Sequence, residues 1–163
     1  NPKVIELVTG RTLLRNSHLQ RLGPDLLGPP VDAGVVISRF RSQGSAPIGE
    51  VVMNQTVVSG IGNVYKSEVL FLERVHPSAP VSQLSDDQLV RVVERATRLM
   101  KWNRDGQPRR TRFRESGSRV WAYGRRNEEC FRCGTAIEMI RQGDLARSTY
   151  YCQECQRHKS ECE

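Results

Sequence analysis

The chain is predicted to be mainly α-helical with a small β-hairpin unit at its C-terminal end, and three observations carry that expectation. Between residues 31 and 102 apolar side chains recur at helical spacing. Beyond residue 120 they alternate over short runs instead. Four cysteines, in two Cys-x2-Cys pairs, bracket one of those alternating stretches.

The elements follow in order. Residues 4–8 read as a short strand followed by a polar connection. Leu22-Gly23-Pro24-Asp25-Leu26-Leu27-Gly28-Pro29-Pro30 is rich in breakers and reads as a turn-laden entry. Asp32 is placed to cap a helix carrying Ala33, Val36, Ile37 and Phe40. Gly and Ser at 42–46 end it, and Pro47 suits the first position of a short helix holding Ile48, Val51 and Val52. Residues 57–63 form a glycine turn that feeds a helix from about Val64 to Arg74, with Tyr65, Val69 and Leu72 on one face. Ser85 and Gln88 make a capping box for a last helix whose stripe is Leu89, Val92, Val93, Ala96, Leu99 and Met100. Its other face (Arg91, Glu94, Arg95, Arg98) reads as plain solvation. Residues 103–119 have no period and read as a mobile basic loop. Residues 120–123 and 136–152 alternate as short strands do.

Charge narrows the function. The net charge is +7. Residues 101–132 hold ten Lys/Arg against four Asp/Glu, a net of +6 in one fifth of the chain. So concentrated a positive stretch favours a polyanion partner, because each phosphate neutralised releases condensed counterions. Mean hydropathy is −0.53 and no apolar run approaches the roughly 20 residues of a membrane span, so no membrane partner is expected.

The cysteines give the sharpest signal. Cys130-x2-Cys133-x18-Cys152-x2-Cys155 matches a tetrahedral four-thiolate zinc site, the gap being long enough for a hairpin that folds one pair onto the other. Four protein ligands leave no open position, so one structural ion is expected. A redox dithiol needs only one such pair. Cys162 and His158 read as idle tail residues. Arg147 falls at the start of the returning strand, where a guanidinium could clamp phosphate.

Gly60-Ile61-Gly62-Asn63 is the second signal. Two glycines let the backbone approach a ligand, and amides at a helix start point towards an anion. Asn63 is placed to cap that helix and to donate to a phosphate oxygen. No nucleophilic constellation appears. Glu50 and Glu68 read as surface or packing residues, and His18 and His76 have no evident partner. The chain reads as a binder.

Residues 54–68, Asn-Gln-Thr-Val-Val-Ser-Gly-Ile-Gly-Asn-Val-Tyr-Lys-Ser-Glu, closely resemble the helix–two-turn–helix signature of the formamidopyrimidine-DNA glycosylase/endonuclease VIII family. Leu22-Gly23-Pro24-Asp25-Leu26 looks like that family's entry segment. Tyr123-Gly124-Arg125, Cys130-x2-Cys133-Gly134-Thr135 and residues 147–155 look like its zinc finger. The resemblance runs from about residue 22 to 156, with Trp121 to Arg125 leaning towards endonuclease VIII-like members.

It implies a helix–two-turn–helix bundle followed by a four-cysteine zinc-finger β-hairpin. The expected divisions are a remnant of a preceding β-domain at 1–21, the DNA-binding bundle at 22–102, the basic loop at 103–119 and the finger at 120–157. It implies a parent enzyme of base-excision repair, a DNA glycosylase and AP lyase that removes oxidised bases using an N-terminal proline amine. This sequence begins Asn1-Pro2-Lys3, where Asn1 acylates Pro2, so no catalytic role is carried onto any residue and the chain by itself is expected to be inactive. What carries over is binding. Asn63 and Arg147 would grip phosphates, the Gly60 and Gly62 turn would offer amides, and Cys130, Cys133, Cys152 and Cys155 would hold one Zn2+. The implied partner is double-stranded DNA, preferentially damaged or abasic, bound by a monomer in a bacterial cytoplasm at the nucleoid. The alternatives are a non-catalytic zinc-ribbon nucleic-acid-binding protein and a ribosomal-type RNA binder.

Overall fold

The computed structural model describes residues 17–104, 108–114 and 116–157. The strand expected at 4–8, His158, Cys162 and the side chain of His18 lie outside the described residues.

A one-turn helix, α1 (Ser17–Gln20), precedes the entry segment. That segment is stitched to the glycine turn. Gly23 N–H donates to the Gln55 carbonyl at 2.8 Å and Ser59 N–H to the Pro24 carbonyl at 2.9 Å. A Cβ at Gly23 would lie 2.4 Å from the Val57 carbonyl oxygen, so only glycine admits this approach. α2 (Ala33–Arg41) starts at Asp32, whose carboxylate accepts the Val35 N–H at 3.0 Å. α3 (Ile48–Val51) is a single turn with Pro47 as its cap, one position earlier than the sequence suggested.

α5 (Asp86–Trp102) carries the expected capping box, with Gln88 N–H to Ser85 Oγ at 3.2 Å and Ser85 N–H to Gln88 Oε1 at 2.9 Å. All six residues of its apolar stripe are buried. Its polar face is not plain solvation throughout. Arg95 Nε donates to Glu73 Oε1 at 2.6 Å and Arg91 lies 3.7 Å from the same carboxylate, tying α5 to the end of the preceding helix.

That preceding helix, α4 (Asn63–Leu72), is the centre of the molecule. The sequence suggested one apolar face, yet every residue from Tyr65 to Phe71 is buried. Two layers account for it. One side meets the helical core of Phe40, Ile48, Val58, Leu89 and Val92. The other meets a second cluster of Phe71, Ala122, Cys130, Ile137 and Cys152.

β1 (Glu138–Gln142) and β2 (Arg147–Tyr151) form the antiparallel hairpin, with Ile140 opposite Thr149. The hairpin docks on α4, where Tyr150 N–H donates to Ser67 Oγ at 3.1 Å. Gln142 Nε2 reaches the Pro77 carbonyl at 3.1 Å, and Gln156 Nε2 the Val75 carbonyl at 2.8 Å. The strand expected at 120–123 is absent. Its backbone donors are met by a side chain rather than by a partner strand.

Candidate nucleic-acid interface and metal centre

That side chain is Glu68. Its Oε1 accepts the N–H groups of Ala122 and Tyr123, each at 2.8 Å, and its Oε2 accepts the Trp121 N–H at 2.7 Å and the Thr111 hydroxyl. Glu68 is fully buried. A desolvated carboxylate is tolerated when its lone pairs are filled, and four donors fill them. Sequence reasoning left Glu68 as a surface or packing residue. It is instead the pin that holds the basic loop and the finger on α4. Described parts of the loop are ordered accordingly, with Thr111 buried and its N–H donating to the Arg119 carbonyl at 2.9 Å.

The four cysteine sulfurs lie within 4.8 Å of one another. Sγ–Sγ distances are 3.8 Å for Cys130–Cys155, 3.4 Å for Cys133–Cys152 and 3.6 Å for Cys133–Cys155. A tetrahedral zinc with bonds of about 2.3 Å sets its sulfurs about 3.8 Å apart, so the donor set fits the ion. Arg132 N–H donates to Cys130 Sγ at 3.4 Å, the kind of bond that steadies a bound thiolate. Hydrogen bonding from Thr135 lowers the exposed Cys133 thiol to about 6, while burial raises Cys152 to about 11.

The knuckle between Cys130 and Cys133 presents Phe131 to two arginines. Arg125 and Arg112 place their guanidinium carbons 3.6 and 4.0 Å from its ring centroid. Arg125 is itself buried and donates to the Trp121 and Glu129 carbonyls, each at 2.7 Å. Basic residues of the loop and finger thus serve partly as structural cement.

At the glycine turn, Gly60 has φ +109° and its N–H donates to Gln55 Oε1 at 3.0 Å, so that amide is already engaged. Gly62 is the N-cap of α4, and the position a Cβ would take there is open. Asn63 does not cap, since it is the first helical residue. Its Nδ2 donates across 85 residues to Ser148 Oγ at 3.3 Å, and its Oδ1 is buried with no partner among the described residues. Ser148 is the neighbour of Arg147, which begins β2 and is exposed. The turn and the finger therefore meet at this contact. His76, given no partner by the sequence, accepts the Ser78 N–H at 3.1 Å and packs edge-on against Tyr151. Glu50 lies exposed on α3, as read.

A buried helix opening from a glycine turn, with a four-cysteine ribbon docked on it, defines a helix–two-turn–helix protein with an appended zinc finger. The chain belongs to the formamidopyrimidine-DNA glycosylase H2TH domain family, whose model matches residues 22–107. Residues 127–157 match the zinc finger found in FPG and IleRS.

Among curated relatives, it is 41% identical over 150 residues to the probable endonuclease 8 2 of Streptomyces coelicolor, covering 88% of this chain and 54% of that one. It is 40% identical over 136 residues to the DNA-(apurinic or apyrimidinic site) lyase Nei2 of Mycolicibacterium smegmatis, covering 83% and 52%. The chain thus spans about half the length of these relatives. Its fold is similar to that of Lactococcus lactis Fpg in a complex with abasic-site DNA, with TM-score 0.78 and 23% identity over 93% of this chain and 57% of that one.

Proposed function

We propose that this chain is the DNA-holding part of a base-excision repair glycosylase and AP lyase acting on oxidised bases, and that its own residues clamp the duplex without performing chemistry. One observation carries the reading: the Asn63–Ser148 contact sets the glycine turn beside Arg147 on a single face. Asn63, Gly62 and Arg147 can then address phosphates of one strand together.

The roles differ. Arg147 supplies charge, and its fork suits a phosphate bidentately. The N–H groups of Gly62 and Asn63 head α4 and face an anion with the positive end of the helix dipole. The Asn63 side chain, bonded to Ser148 with its Oδ1 buried, holds the turn against the hairpin, and its part in the grip is its backbone amide. Gly60 acts by shaping the turn, its amide being engaged. The four cysteines hold one zinc ion, which fixes the hairpin and hence Arg147.

Such a clamp serves base flipping. Extruding a nucleotide costs a few kcal/mol of stacking and pairing, least at a damaged or abasic site. Phosphate contacts flanking a kink offset that cost without reading sequence. The reading places the protein on bacterial DNA as a monomer.

The test is fluorescence anisotropy of the zinc-loaded chain on abasic-analogue duplex, intact duplex and structured RNA across a salt series. Tighter binding to the abasic duplex is expected. Equal affinity for all three, or a preference for RNA, would sink the damage-clamp reading, leave a generic polyanion grip and favour the ribosomal-type RNA binder. Incubation with an abasic strand should leave it uncut; cleavage would overturn the assignment of no chemistry.

A further inference from the structure

One turn along α4 from Asn63, Lys66 is only 1% exposed. It lines a cleft of about 200 Å3 between α3, α4 and the hairpin turn, together with Glu50, Asn54, Gln142, Asp144 and Arg147. No carboxylate among the described residues lies within ion-pairing distance of its ammonium. A buried cation without a direct ion pair is costly, and it is relieved either by losing its proton or by gaining an anion.

We propose that this cleft seats one DNA backbone phosphate between the Lys66 ammonium and the Arg147 guanidinium, and that seating it draws a proton from solvent onto Lys66. The inference rests on the DNA-holding reading above and adds a proton-linked contact to it.

Burial first, and then the Arg147 charge, lower Lys66 to about 8, with Glu50 opposing. The charged groups facing it are Arg147 from β2, Glu50 from α3 and Asp144 from the hairpin turn. Glu50 and Asp144 are exposed, so water screens their repulsion of an incoming phosphate. Lys66 acts from within the cleft, where screening is weaker than at the exposed carboxylates. A seated phosphate compensates both cations and returns the amine towards its ordinary value of 10.5.

The sign is fixed by linkage. Because the complex binds the extra proton, affinity falls as pH rises through 8. With the shift fully reversed, affinity drops about tenfold between pH 7 and 9, and binding at pH 8.5 takes up about three quarters of a proton.

Calorimetry of the zinc-loaded chain with abasic-analogue duplex, in two buffers of different ionisation enthalpy at pH 8.5, measures that uptake. Uptake in the wild type and none in Lys66→Arg or Lys66→Met is expected, with the pH profile of Lys66→Arg flattened. Thermal melts establish that each variant is folded. Uptake undiminished in Lys66→Met would overturn the assignment. So would uptake on inorganic phosphate alone, which would make the cleft a free-anion site. Normal duplex binding with no uptake sinks this inference only. Absence of duplex binding sinks the DNA-holding reading and this inference together.

Discussion

The carboxylate of Glu68 accepts the backbone N–H of Ala122 at 2.8 Å, joining the middle of α4 to the segment entering the finger. Three further donors converge on the same group. Glu68→Gln turns one acceptor oxygen into an NH2 group facing backbone amides and removes the charge that strengthens every bond. Breaking a buried charge-assisted network of this kind costs about 3–5 kcal/mol. Thermal denaturation should show the loss. Hydrogen exchange should place it at residues 111 and 121–123, with α5 little changed. A melting temperature equal to wild type would mean that Glu68 is not the pin.

Much of this was legible in the sequence, and what was not has a physical cause. Asp32, the Ser85–Gln88 box and the stripe on α5 act through neighbours three or four residues away, so periodicity found them. The cysteine spacing found the metal centre because coordination geometry limits the loops that can supply it. In the sequence Glu68 reads as a surface or packing residue, and Lys66 and Gln156 are given no role. The partners of Glu68 lie 43 to 55 residues away and Gln156 reaches Val75 across 81, separations that leave no local trace. The run 120–123 alternates like a strand, but alternation reports which side chains are buried, not who accepts the amides. Asn63 was assigned the cap it vacates, because a helix start by itself does not reveal a docked hairpin.

Zinc removal should affect the molecule unevenly. A hairpin this small is stabilised by its ion, on the order of 10–16 kcal/mol in comparable sites. The helical core is built from other residues and lacks the cysteines. Chelation should therefore expose residues beyond about 120 to protease while α2, α3 and α5 persist, and restored zinc should reverse the change. Gln142 and Gln156 tether the finger to the bundle, so α4 should lose part of its protection. Full protease resistance in chelator would count against the site.

Arg147→Ala should weaken DNA binding without altering the fold, because the side chain is exposed at the start of β2. A phosphate contact changes affinity almost equally for all sequences and lowers the salt slope by about 1. Anisotropy titrations on two unrelated duplexes across a salt series separate this from base reading. An unchanged slope would remove Arg147 from the clamp.

The two turn glycines should respond oppositely to the same substitution. Gly60 has φ +109°, and a Cβ there would lie 2.6 Å from Met100 Cε. Gly60→Ala is thus strained in backbone and crowded by a core side chain, and should cost about 1–3 kcal/mol of stability. Gly62 has φ −105° and nothing within 4 Å of its Cβ position. Gly62→Ala should leave the unfolding free energy within about 0.5 kcal/mol of wild type, as a surface change does. Its methyl group would instead occupy space through which a phosphate approaches the amides heading α4, so affinity for duplex should fall. If Gly62→Ala binds duplex as tightly as wild type while remaining folded, the anion does not sit at this turn, and binding must rest on Arg147 and the other cations of the face.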